Sequence, residues 1–486
     1  MPPILCIMPR VTAWVQFHFW SAPCTATSFK IVAGGSVLRL SRRELLKAAG
    51  CTALSSLPVS AWAQAKARTQ PPVFSPDDDQ LLDEVERLAC CFFWEQASPQ
   101  TGLVKDRCNA RKASTDNSNV ASIAATGFGL TALCIGDMRG FIPHADARAR
   151  VIATLKFLSE KLAHHRGFFY HFADINAGER VWDSEVSSVD TAILLCGILT
   201  CRTHFRDTEI TLLAHSITNR VEWTWLSEDT TLLPHGWRPE VGFLPYRWDF
   251  YNEMMMMYLL GLGSPTYTLR PEAWDAWKRT KFEYEGMRYI GSFAPLFVHQ
   301  YSQAWFDFRN KHDKYADYFQ NSVIATEVHR RFCIELGRQF PDYSADLWGI
   351  TASDSDHGYV IWGGPPGVGQ IDGTVAPAAA GGSLPFLPQE TVRVLRAIRH
   401  RYPQAWSTYG FVDALNPAKN WYDTDVVGID VGITMIMAEN ARTGYVWKVF
   451  MENPEAQRGM ERAGFKPYQP APMTPSVLTS AIGPVR

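Results

Sequence analysis

What most constrains this chain is a set of helix-length apolar segments opened by acids and aromatic rings. WDSEVSSVDTAILLCGIL (182–199), WDFYNEMMMMYLLGLG (248–263) and VGIDVGITMIMAEN (427–440) are the clearest. A helix apolar on every face must be buried all round. Further apolar segments begin near Val120, Leu296 and Thr374. The spacing is on the order of 50 to 75 residues, and more amphipathic stretches such as 146–163, 207–226 and 389–401 fill most gaps. Alternating β patterns are scarce. This predicts an all-α chain, an (α/α)6 toroid of six inner and six outer helices; an irregular α-rich globule is the plainer alternative. The Thr374 member is the weakest, because Pro377 and Gly381-Gly382 shorten it.

The ends of the chain read as something other than fold. Ser41-Arg42-Arg43-Glu44-Leu45-Leu46-Lys47 has a twin-arginine pattern, Ala48 to Val59 is apolar, and Ala61-Trp62-Ala63 is a small-x-small cleavage site. Residues 1–63 therefore read as an N-terminal extension plus twin-arginine signal peptide, with translation starting later than Met1. The bland alternative is a basic helix with an Ala-rich continuation. Residues 64–77 read as a linker, and Ser75-Pro76-Asp77 opens a helix with Leu81, Leu82, Val85, Leu88, Phe92 and Phe93 on one stripe. Residues 78–466 form one domain, and 467–486 read as a disordered, proline-rich tail. The implied partner of the precursor is the twin-arginine export machinery, and the implied location is periplasmic or secreted. No run is long and uncharged enough to span a bilayer.

Composition narrows the chemistry. The first 63 residues carry six basic and one acidic residue, so the remaining 423 hold a formal charge of −7 against −2 for the whole chain. A mildly acidic protein is poorly suited to nucleic acid. Seventeen Trp, 17 Tyr and 27 Phe serve both a large core and a saccharide groove. The seven cysteines after residue 63 form no CxxC pair and read as buried free thiols.

In a toroid the loops entering the inner helices share one rim, so acids at those entrances converge. Glu253, ahead of Met254 to Met257 and beside Trp248, Phe250 and Tyr251, is either a dipole-favoured acid at a helix start or a general acid. The dipole lowers its pKa, so the second role requires burial or a second carboxylate. Asp430, between Gly428 and Gly432, is either a cap or the base that activates water; the glycines would permit a sharp turn. Asp183, Glu185 and Asp190 crowd beside Trp182, where hydroxyl-rich sugar would relieve them. His299, Tyr301, Trp305, Asp307 and Arg309 recur at helical spacing, as either a solvated face or a sugar-binding wall. Asp354 follows as a rim residue, and Asp116 and Asp372 as further entrance acids. Acids facing an aromatic-walled hollow suit glycosidic-bond cleavage and a polysaccharide or oligosaccharide partner. There is no GxSxG elbow and no HExxH pair, and Gly363 to Gly369 lacks the ending of a phosphate cradle. The pattern calls for no metal and no cofactor.

These residues lie in stretches that resemble the bacterial glucoamylase-like family. Its characterised members include the endo-β-1,2-glucanases of glycoside hydrolase family 144, related to a domain of cyclic β-1,2-glucan synthases. The stretches are ASIAATGFGLTAL (121–133), GFFYHF (167–172), SEVSSVDTAILLCG (184–197), GFLPYRWDFYNEMMMMYLLGLGSPT (242–266) and PLFVHQYSQAWFDFR (295–309). DYFQNSVIAT (317–326), WGITASD (348–354), DGTVAPAAAGGSLPF (372–386) and WYDTDVVGIDVGITMIMAENARTG (421–444) continue the match. The resemblance implies an (α/α)6 barrel acting on β-1,2-glucan with inversion. It implies Glu253 on the acid side, Asp430 on the base side, and Asp183, Glu185 and Asp190 binding sugar, with the proton passing directly or through a substrate hydroxyl. The four consecutive methionines and the loop from Val360 to Gly369 depart from the family, and that loop bears on chain-length preference. Two competitors stand beside this reading: a non-catalytic periplasmic glucan-binding protein, and a glucosidase for another linkage.

Overall fold

Helices carry most of the regular structure. The computed structural model describes residues 73–112, 118–228 and 230–467, and a strand pair, Val32–Ala33 with Ser36–Val37, in the leading unit 1–70. The twin-arginine stretch, the cleavage site, Asp116 and residues 468–486 lie outside the described residues.

Six helices are buried and apolar: α2 (Ile123–Arg139), α4 (Ser188–Phe205), α7 (Met255–Gly263), α9 (Tyr301–Trp305), α11 (Pro377–Gly381) and α13 (Gly428–Arg442). Between and around them run half-exposed helices: α1 (Pro76–Glu95), α3 (His144–Glu160), α5 (Thr208–Asn219), α10 (Tyr318–Leu336), α12 (Pro388–Arg401) and α15 (Pro454–Arg462). Three short helices, α6 (Trp223–Ser227), α8 (Glu272–Ala276) and α14 (Tyr445–Phe450), complete the set among the described residues. The fold is all-α. The sequence places five of the six buried helices close to their starts, and α11 is as short as Pro377 and the glycines require.

The buried helices pack on one another, α2 against α4 and α13, α4 against α7, and α13 against α11 and α9. The α2–α4 contact is backbone on backbone: a Cβ on Gly197 would sit 2.2 Å from the Gly127 carbonyl oxygen. Larger residues there would separate the pair. The amphipathic helices cover this layer, with α15 on α7 and α1 on α2. Helix α1 opens as its sequence dictates, with Ser75 capping the Asp78 N–H and Pro76 in the first turn. Its start lies inside the stretch read as linker, and Phe74 is already buried, so the packed body begins before residue 78. At the other end Pro467 still pairs with Lys311.

Short antiparallel pairs clamp the helix entrances. Val120–Ser122 pairs with Phe172–Asp174 ahead of α2, and Val186–Ser187 with the Gly236–Arg238 strand ahead of α4. Asp425–Val427 pairs with Arg107–Asn109 ahead of α13, with Val427 opposite Arg107. These two- and three-residue strands are too short to show an alternating pattern. The free thiols Cys90, Cys108, Cys134, Cys196, Cys201 and Cys333 are buried and Cys91 half-buried, as expected. No helix among the described residues is long and apolar enough to cross a membrane.

Candidate active site

The entrances to α4, α7, α9 and α13 surround one cleft of about 860 Å³. Glu253 and Asp430 both line it, although 177 residues separate them in the chain. Glu185, Asp190, Trp248, Tyr301 and Asp354 line it with them.

Glu253 lies on the turn leading into α7. Its backbone N–H donates to Asn252 Oδ1 at 3.0 Å, and its carbonyl accepts from Ser302 Oγ, which also takes the Met256 N–H at 3.0 Å. Helix α9 therefore pins the turn. Met254 to Met257 are fully buried behind it. The residue opens on the cleft, yet Oε2 is sealed with no donor among the described residues. Burial, reinforced by the charge of Asp190, pushes its pKa up to about 8. Desolvation thus outweighs the backbone hydrogen bond that would lower it.

Asp430 stands in the first turn of α13. Gly428 and Gly432 have ordinary helical geometry, so the expected sharp turn is absent. Their small size matters instead: a Cβ on Gly432 would lie 2.4 Å from the Phe128 ring, and one on Gly428 2.8 Å from Ala125. Bare backbone lets α13 press against α2. Burial raises the Asp430 pKa to about 6, opposed by a hydrogen bond with Asp413. Asp413 itself goes well above the usual carboxylate range through burial and repulsion from Asp430. Asp413 Oδ2 accepts the Asp354 N–H at 2.6 Å. Asp423 rises to about 7, again chiefly by burial. Arg107 opposes this accumulation, bonding Asp354 Oδ2 at 2.5 Å and Asp106 at 3.2 Å. Asp354, Asp413 and Asp423 bring one oxygen each within 4.8 Å of one another, which could hold a cation, with Arg107 already supplying one positive charge.

The opposite wall is arranged differently. His171 Nδ1 lies 3.1 Å from Glu185 Oε1 and Nε2 lies 3.5 Å from Asp190 Oδ2. Burial alone would lower the imidazole pKa, but the two carboxylates raise it to about 9. Against its own burial, Glu185 falls to about 2 beside His171. Ser187 caps α4, its Oγ accepting the Asp190 N–H at 3.3 Å and donating to Asp190 Oδ2 at 2.6 Å. Trp248 stacks on His235 at 3.9 Å and donates Nε1–H to Ser188 Oγ at 2.9 Å. The Tyr301 hydroxyl, which lines the cleft with the three acids, is raised by burial and by the charges of Asp430, Tyr359, Glu253 and Asp190.

Seven of the expected residues do not line the cleft. The exposed Asp183 follows the turn residue Trp182, both at positive φ, and Arg180 binds its carbonyl at 2.6 Å. Tyr251 and His299 bond each other at 3.1 Å inside the core, where burial drops the imidazole to about 3. Trp305 is buried, its indole N–H on Thr131 Oγ1 at 3.0 Å. Helix α9 ends at Trp305, so Asp307 and Arg309 fall past its far end, paired at 2.9 Å with the guanidinium over Trp447. The helical spacing assumed for this group fails after one turn and a half. Asp372 is held by Lys419 at 2.8 Å, outside the cleft.

The sequence reading missed Arg107, His171, Asp413 and Asp423. Two had a signal: His171 is the penultimate residue of GFFYHF, and Asp423 is the third of WYDTD. Arg107 comes from a three-residue strand and Asp413 from a loop, neither with a periodicity to mark it.

Comparison with known proteins points the same way. A family model described as "Putative glucoamylase" matches residues 245–454. The chain is 29% identical over 425 residues to an exo β-1,2-glucooligosaccharide sophorohydrolase (non-reducing end) of Parabacteroides distasonis, covering 79% of this chain and 58% of that protein. It thus spans a little over half of that curated relative. Among solved structures, it is similar to a "putative glucoamylase" of Bacteroides caccae, at 30% identity and TM-score 0.75, over 80% of this chain and all of the other. An endo-β-1,2-glucanase of Chitinophaga pinensis, with sophorotriose and glucose, is 28% identical with TM-score 0.75, over 81% of this chain and 99% of the other.

Proposed function

This chain belongs to the glucoamylase-like family, and from that membership and its buried acid pair we propose that it is an exported, inverting hydrolase of β-1,2-linked glucan. The observation that carries the reading is that Glu253 and Asp430 line one cleft with pKa values of about 8 and about 6. At neutral pH the first holds its proton and the second does not, the division of labour that inversion needs. Glu253 protonates the leaving glycosidic oxygen, directly or through a sugar hydroxyl. Asp430 takes a proton from the attacking water. Tyr301, among the acids, donates to sugar or water, and Trp248 with His235 offers a ring face to a pyranose.

The alternation of buried and half-exposed helices supports closure as an (α/α)6 toroid, with the acids on the rim where inner helices begin. The Arg42-Arg43 motif and the following apolar run support twin-arginine export to the periplasm or beyond. The test is incubation with a panel of glucans of different linkage, following product anomers by NMR. Sophoro-oligosaccharides released first as the α-anomer support the reading. No release from any glucan would leave a binding protein, and release from an α-linked glucan alone would change the linkage.

A further inference from the structure

A second cavity of about 660 Å³ adjoins the cleft. His235 and Trp248 line both, so their stacked rings form the wall between the two. The chain crosses the same boundary in one step: Asn252 lines the second cavity and Glu253 the first. Each volume lies in the range of about 300–1,000 Å³ that takes a ligand of oligosaccharide size.

The second cavity is built from separate parts of the chain. Tyr246, Phe250 and Trp248 come from the approach to α7, Phe293 from the segment before α9, and Ile361 from the loop that departs from the family pattern. Tyr246, Phe293 and Ile361 are 69%, 61% and 66% exposed. Large apolar side chains left in water together mark a surface that something covers. The rings are held in place: Phe293 packs edge-on against Phe282 at 5.5 Å, and Tyr246 lies 6.0 Å from the His235 ring. The charges beside them are already matched, Asp249 with Lys278 at 3.5 Å and Arg247 with Glu228. Fixed rings without surplus charge suit a neutral, hydroxyl-rich ligand and disfavour a phosphate or a peptide of one sign.

Resting on the hydrolase reading, we propose that this groove holds the departing, reducing-end side of the glucan chain. The acid must stand at the junction between the sugar that is attacked and the sugar that leaves. Asp430 lines the first cavity and not the groove, so the attacked ring sits there, and the leaving chain passes Glu253 into the groove. Rings beyond the junction then grip product-side sugars, and substrates long enough to reach them gain affinity.

The test compares wild type with the double variant Tyr246→Ala, Phe293→Ala, using a sophoro-oligosaccharide ladder and long linear β-1,2-glucan. Both side chains are exposed, so the variant folds, which a melting curve checks. The ratio of kcat/KM for long over short substrate falls about tenfold, the rise appearing in KM. Reducing-end labelling shows the variant losing cleavage patterns that place two or more sugars beyond the scissile bond. A variant whose losses ignore chain length, or whose label pattern is that of wild type, overturns the groove assignment while leaving the hydrolase intact. A wild type inert toward every glucan removes the hydrolase reading and this inference together.

Discussion

The two acidic walls of the cleft hold the same residue types in opposite states. On the Glu185–Asp190 side a histidine stands between the carboxylates, so Glu185 is held down at about 2 and the imidazole is held cationic to about pH 9. On the Asp430 side burial, with carboxyl facing carboxyl, pushes Asp413, Asp423 and Asp430 all upward. Among the described residues no cation pairs with Glu253, and burial is the chief cause of its rise. What separates a spectator carboxylate from a working one is what has been interleaved between the acids, and a histidine three ångströms away decides it.

The hardest blow to this contrast falls on the two candidate catalytic acids. Glu253→Gln and Asp430→Asn should each lower kcat by about 10²–10⁴-fold on β-1,2-glucan, with the melting temperature kept. Near-wild-type turnover in either removes that residue from its role. The pH profile sharpens the same point. For the free enzyme kcat/KM should rise through about pH 6 as Asp430 ionises and fall through about pH 8 as Glu253 loses its proton. Beyond either limb the rate changes about tenfold per pH unit, and a residual rate in Glu253→Gln should lack the alkaline limb. A profile flat from pH 5 to 9 would refute the assignment.

Removing the interleaved cation converts one wall into the other. His171→Ala should cost about 1–3 kcal/mol of stability, because Glu185 and Asp190 then lose the cation between them and keep Arg238 at 3.7 Å and the Ser187 hydroxyl at 2.6 Å. The sign follows from both shifts. The imidazole is raised from 6.5 to about 9, so its contribution is complete below pH 6.5 and fades as pH rises through 9. Glu185 is depressed from 4.5 to about 2, so its contribution is complete above pH 4.5 and fades as pH falls through 2. Urea titrations of wild type and variant should differ most between pH 4.5 and 6.5. A difference that grows toward pH 9 would show that the histidine is not the cation between them.

Sequence reading finds what periodicity can mark. Glu253, Asp430 and Asp190 were legible because an acid at the start of an all-round apolar helix has few other places to go. The same logic misjudged Tyr251, two residues from Glu253, because half a turn decides between cleft and core. It carried His299 to Arg309 on one face, whereas α9 is five residues long and its ends serve different surroundings. Arg107 and Asp413 were invisible for the converse reason. They reach the site through strand pairing and a backbone hydrogen bond to Asp354, long-range contacts with no local signature.

The smallest expected effect is the sharpest test of the acid-on-acid wall. Asp413 Oδ1 and Asp430 Oδ2 are buried, and neither meets an N–H or hydroxyl donor among the described residues. The two carboxyls hydrogen-bond each other, which acceptor-only groups can do only if one keeps a proton. Their interaction raises Asp413 and lowers Asp430, so Asp413 holds that proton and donates to an ionised Asp430. An asparagine reproduces this neutral form, its carbonyl taking the Asp354 N–H and its amide donating to Asp430. Asp413→Asn should therefore keep kcat within about threefold of wild type, whereas Asp413→Ala should lose tenfold or more and move the acidic limb above pH 6. If the asparagine variant is instead as inert as Asp430→Asn, the proton lies on the other carboxyl, and the base of the reaction is Asp413.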